Sequence, residues 1–116
     1  MTADDPKALW EQVSGPLRDQ PQVAGSTMMG LPCLRVAGAF FAAWEPRTGD
    51  LLVKLPSARV DALLEAGAAQ PFAPAGRRFR AWAAVPAAEA TSWPALADEA
   101  LRHVRDTTGP ASDGAP

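Results

Sequence analysis

The 116-residue sequence predicts an α+β domain, a two-layer structure with a twisted, mostly antiparallel sheet. The expected order is helix, three-strand meander, helix, one or two strands and a C-terminal helix. Three observations carry this. Asp5-Pro6 stands immediately before Leu9, Trp10, Val13 and Leu17, which recur at helical spacing. Between residues 31 and 56, short apolar runs are separated by turns containing Gly and Pro. Trp93, Leu96, Ala97, Ala100, Leu101 and Val104 follow the i, i+3, i+4, i+7, i+8, i+11 pattern of an amphipathic helix.

The first helix starts with Asp5 as its cap, because an Asp side chain can accept from the first turn and Pro6 has no N–H left unpaired there. Gly15 and Pro16 interrupt its pattern, so its end is expected between Ser14 and Asp19. "LPCLRV" and "AFFAAWE" then read as strands joined at Ala37-Gly38, where Gly38 can take the positive φ of a tight turn. "EPRTGD" is a second turn and "DLLVKLP" a third strand, with Leu51, Val53 and Leu55 on one face and Leu52 and Lys54 on the other. Ser57 is expected to cap a short helix with Val60, Leu63 and Leu64 inside and Gly67 as its stop. "RRFRAWAAVP" alternates as a strand, with Phe79, Ala81, Ala83 and Val85 against Arg78, Arg80, Trp82 and Ala84. The last helix starts near Ser92, with Asp98 and Glu99 towards its start and Arg102, His103 and Arg105 in its last turns, as the helix dipole favours. One domain over 4–106 and a disordered, Pro/Gly-rich tail over 107–116 complete the expectation.

An apolar fraction of 47% with 21% charged residues excludes a largely disordered chain, and a net charge of -2 gives no whole-molecule attraction to nucleic acid or anionic membranes. Any such binding needs a local basic patch. The apolar run from Thr27 to Trp44 is long enough to test as a membrane span, but it holds Gly30, Pro32, Arg35 and Gly38. An arginine at a helix centre costs about 2.5 to 3.5 kcal/mol on insertion scales, so no membrane association is expected. A single cysteine, Cys33, forms no internal disulfide, and no signal-peptide pattern opens the chain, so a reducing cytoplasm is the default.

Catalytic chemistry finds little support. The one histidine, His103, lies on the charged side of the last helix, and nothing in the sequence brings it to Cys33, which reads as a small buried hydrophobe. One histidine and one cysteine are too few soft ligands for structural zinc, and neither phosphate-loop glycine pattern occurs. No catalytic set, metal or cofactor is therefore expected. The paired acids Asp4-Asp5 and Asp98-Glu99 stand at helix starts, where capping and dipole terms explain them.

One cluster remains, "GRRFRAW" from Gly76 to Trp82. On an alternating strand, Arg78, Arg80 and Trp82 share one face, and Arg35 and Lys54 are the charged residues on the matching faces of their own strands. Guanidinium groups beside an aromatic ring suit phosphates and bases. The alternative is a solvated face whose arginines pair with Glu45, Asp50 or Asp61 and whose Trp82 covers the sheet or meets a second subunit. The strand at 39–45 is apolar on both faces, with Phe40, Ala42 and Trp44 on one and Phe41 and Ala43 on the other. It is either central or a contact surface, which makes Phe40, Trp44 and Trp82 candidate residues of a homodimer or protein interface.

"MMGLPCLRVAGAFFA" resembles the "MFG...G..FA" opening of the TfoX N-terminal-like and YjbR (MmcQ)-like small bacterial domains. "LLVKLP", "FAPAGRRFRAW" and a last helix from a Trp through "ALADEALRHV" continue the resemblance in the same order, from about Leu9 to Val104. It implies a twisted antiparallel sheet backed by helices, and a regulatory or DNA-binding module without transferable catalytic residues. The chain departs from the pattern at Met29, where phenylalanine is usual, and at Ala39, where lysine is frequent. The expected function is a small cytoplasmic binding or regulatory module, with nucleic acid on the basic and aromatic face or a protein partner in its place.

Overall fold

The computed structural model describes residues 5–28, 30–73 and 76–108. Its elements are α1 (Pro6–Arg18), β1 (Val23–Met28), β2 (Leu31–Val36), β3 (Ala39–Glu45), β4 (Asp50–Lys54), α2 (Ser57–Glu65), β5 (Gln70–Pro71), β6 (Trp82–Val85), a 3₁₀ segment (Ala87–Ser92) and α3 (Trp93–Thr108). The strands form one antiparallel sheet in the order β1-β2-β3-β4-β6-β5. The α+β layout is the one expected.

Asp5 caps α1 as its sequence predicts, its carboxylate accepting from the Lys7 amide at 3.2 Å. The helix runs through Gly15 and Pro16 to Arg18 rather than breaking at them. Ser57 is not the cap of α2. It is the first helical residue, Pro56 holds the cap position, and no side chain caps this end. At the other end Gly67, with φ +74°, donates to the Leu64 carbonyl while Ala68 donates to Leu63, a Schellman stop that places Gly67 where only a glycine is relaxed. Thr107 and Thr108 still belong to α3, so the helix outruns the expected domain end. Residues 109–116, the rest of the expected tail, lie outside the described residues, as do Asp4 and Met29.

All three helices cover one face of the sheet. Trp10, Val13 and Leu17 of α1, Val60 and Leu63 of α2, and Trp93, Leu96, Ala97, Ala100, Leu101 and Val104 of α3 meet Leu34, Val36, Phe41, Ala42, Trp44, Leu51, Val53, Ala83 and Val85. Trp93 is fully buried and its indole N–H donates to the Pro86 carbonyl at 3.2 Å. No described helix is long and apolar enough to cross a membrane.

Two features depart from the expected sheet. β1 was not anticipated: "VAGSTM" has one β-branched residue at each side of an Ala-Gly-Ser centre and no alternation, yet all six residues pair with β2 in unbroken register. The second is a bulge. Cys33 pairs with Ala43 and Leu34 with Ala42, but Arg35 pairs with Phe40, so Phe41 is an extra residue on β3. Phe41 and Ala42 consequently both enter the helix-side core, and Trp44 goes with them, whereas Phe40 and Ala43 lie on the opposite face.

Candidate binding face

The sheet face away from the helices is built by three cross-strand rows. The central row is small and apolar: Ser26 pairs with Cys33, Cys33 with Ala43, Ala43 with Leu52 and Leu52 with Ala84. On one side of it, Arg35 pairs with Phe40 and Lys54 with Trp82, Lys54 following directly on the Val53–Ala42 pair. On the other side Glu45 pairs with Asp50 at the β3–β4 turn. The face is thus cationic and aromatic at one end and acidic at the other.

Phe72 and Phe79 pack over the middle of this face. Phe79 donates its amide to the Phe72 carbonyl at 2.9 Å, and the Phe72 ring lies 5.7 Å from that of Phe79 and 6.3 Å from that of Trp82. Together they close a second, thin apolar layer over Cys33, Ala43, Leu52, Trp82 and Ala84, with Leu31, Phe40 and Phe79 half-buried at its rim.

This arrangement brings together only part of the predicted site. Arg35 and Lys54 share the open face, as expected, and lie at the same end of it. Trp82 stands beside Lys54, but only 9% of it is exposed, so it covers the sheet and offers no ring for stacking. Arg78 and Arg80 are not strand residues, because β6 begins only at Trp82 and the Trp82 amide turns back to the Phe79 carbonyl. The alternation expected from Arg78 onward fails there, and Phe79 packs on the same side as Trp82 rather than opposite it. Arg78 is tied to Asp61 at 3.5 Å, one of the pairings anticipated, whereas Arg80 is exposed with no ion pair among the described residues. Of the candidate interface residues, Trp44 is excluded from the open face by the bulge: it is 8% exposed under the helices, and its buried indole N–H has no acceptor among the described residues. Phe40 remains half-exposed.

Two of the predicted residues, Arg35 and Phe40, meet each other, and Arg77 with Phe79, which sequence reasoning missed, forms a second such contact. Arg35 lies over the Phe40 ring at 4.5 Å and Arg77 over the Phe79 ring at 5.6 Å. Each such contact contributes about 0.5 to 2 kcal/mol, increasing as water is excluded. The spacing of Phe72 and Phe79 around a Gly-containing turn was the only signal of this cover. Neither Arg35 nor Arg77 has a carboxylate partner among the described residues, and the Arg35 Nε is buried without an acceptor.

Burial pushes the Cys33 thiol up, with the nearby Arg35 charge and a Ser26 hydrogen bond only partly opposing it. Cys33 and α3, which carries His103, lie on opposite sides of the sheet. At the acidic end Glu45 accepts from the Arg47 amide at 3.1 Å, and burial raises Asp50 despite its Thr48 hydrogen bond. A cavity of about 180 Å³ there is lined by Glu45, Asp50, Leu52, Phe72 and Ala84. Chemically, the face can hold anions against flat rings at one end. Compared with known proteins, the chain matches no family model, no curated protein and no solved structure.

Proposed function

We propose that the protein is a small binding module that takes single-stranded nucleic acid across the cationic end of its open sheet face. The observation that carries this reading is the Arg35 guanidinium over the half-exposed Phe40 ring at the same end of the face as Lys54, neither cation having a carboxylate partner among the described residues. Arg77 on Phe79 repeats the arrangement at the rim, and exposed Arg80 extends the charge. Rings and guanidinium planes stack on unpaired bases while the same cations meet phosphates, which suits single strands better than a duplex. The resemblance of the motif order to TfoX-like and YjbR-like domains is in keeping with a regulatory role for such binding.

The test is fluorescence anisotropy of labelled single-stranded and duplex oligonucleotides at about 50 mM salt, where a few phosphate contacts suffice for binding. Binding of the single strand, weakened by about tenfold in Arg77→Ala/Arg80→Ala, is the expected result. No binding at that salt, or unchanged binding in the double variant, overturns the proposal.

A further inference from the structure

The two edges of the sheet differ in a way that bears on assembly. One edge is β5, two residues long and containing Pro71, which has no N–H to offer another strand. The other is β1, six residues in regular pairing with β2, without proline, bulge or charged side chain. Exposed strand edges are ordinarily blunted by such devices, because their free N–H and C=O groups pair with any strand that presents itself.

The direction of those groups follows from the start of β1. The Gln22 carbonyl accepts from the Ala37 amide, so it points to β2, and the Val23 amide in the same peptide points away, to the Gln20 carbonyl. Alternation then turns the N–H and C=O of Gly25 and Thr27 outward from the sheet. Among the described residues they meet no partner. The side chains beside them are small: Ala24 and Ser26 lie on the open face, and Gly25 and Thr27 on the helix side, with Arg18 extending over Gly25, its Nε 3.6 Å from where a Cβ would stand.

We infer that β1 pairs antiparallel with β1 of a second copy of this chain, about a two-fold axis at Ser26. This register places Gly25 opposite Thr27 of the other copy on both sides of the axis, so that each pair exchanges both backbone hydrogen bonds. The strand is self-complementary because it is uncharged, and at the centre of the join Ser26 meets Ser26 and Gly25 meets Thr27. Each Arg18, lying over its own Gly25, faces Thr27 of the other copy rather than the other Arg18. With β5 blocked, each chain has one free edge, so the assembly closes at two copies instead of growing into a fibre. An antiparallel join of this kind continues the sheet, so the cationic ends of both open faces come to the same side of a twelve-stranded sheet. The dimer itself does not depend on what those ends bind.

A short strand edge buries little area, so the dimer is weak and concentration-dependent. Sedimentation equilibrium of the full chain from about 5 to about 500 µM, a range suited to such an equilibrium, should show monomer passing into dimer. Thr27→Lys, which sets a cation against Arg18 of the other copy, should raise the dissociation constant by about tenfold, and Thr27→Glu should lower it several-fold. Thr27 is exposed, so neither change disturbs a core. Circular dichroism of both variants confirms that they are folded. Slowed amide exchange at Gly25 and Thr27 on raising the concentration locates the contact. A monomer throughout the range, or a dimer that responds equally to both charges, overturns the inference.

Discussion

Single side chains show how the same atom type acquires opposite roles from its surroundings. Trp93 and Trp44 are both buried under the helices, yet one indole N–H has the Pro86 carbonyl and the other has no acceptor among the described residues. A buried donor without an acceptor costs about 1 to 3 kcal/mol, so Trp44 is retained for the volume it fills and not for its nitrogen. Asp50 illustrates the same conflict for a charge. Burial raises it above the ordinary value of 3.8, and the adjacent Glu45 adds to the shift. A carboxyl raised in the folded state binds its proton more tightly there than in the unfolded chain, so its ionisation opposes folding. That penalty is fully present above the folded value, shrinks as the pH falls through it, and is gone below the unfolded value. Asp50→Asn should therefore be more stable than the parent protein at pH 7, and the two should converge as the pH falls below about 3.8. Urea unfolding of both proteins at several pH values measures this, and a difference independent of pH refutes it.

At the level of the elements, backbone chemistry explains where helices stop and where they do not. Gly67 is at φ +74° with nothing within 4 Å of a would-be Cβ, so Gly67→Ala should cost about 1 kcal/mol through backbone strain alone. Pro16 is the converse: it sits inside α1, where it cannot donate to the carbonyl of Gln12, and the preceding Gly15 has no Cβ to meet its ring. Pro16→Ala should restore that bond and stabilise the protein by about 1 kcal/mol. Both changes are read from denaturant midpoints, and the opposite sign in either contradicts the assignment of its cause. The helices were legible for this reason, since caps, stops and 3.6-residue stripes are local. The strands were less so. β1 has the composition of a loop and is a strand because β2 lies beside it, while the extra residue at Phe41 is a property of the β2–β3 pair that no single strand announces. One bulge was enough to move Trp44 from the candidate interface into the core.

For the molecule as a whole, the two-layer plan followed from the order of its elements, but the site depended on register. Arg35 meets Phe40 across the β2–β3 hairpin, and Lys54, from β4, comes to the same end of the open face only through antiparallel pairing, whereas Arg78, Arg80 and Trp82 are close in sequence and are separated by a turn. The charge balance adds a second constraint. With a net charge of -2, the chain has no long-range attraction for a polyanion, so the salt dependence of binding counts only phosphates met at the face. Four cations without carboxylate partners among the described residues stand there: Arg35, Lys54, Arg77 and Arg80. If each meets one phosphate of a single strand, the logarithm of the binding constant should fall against that of salt concentration with a slope of about -3. Arg80→Ala, which removes an exposed cation without touching a ring, should make the slope shallower by about 0.7. Phe40→Leu should weaken binding at every salt concentration and leave the slope unchanged, because stacking releases no counterions. Titrations between about 25 and 200 mM salt separate the two effects. A flat dependence in the parent protein would mean that the face binds no phosphate, and a slope altered equally by both substitutions would mean that ring and cation do not act as distinct parts of one face.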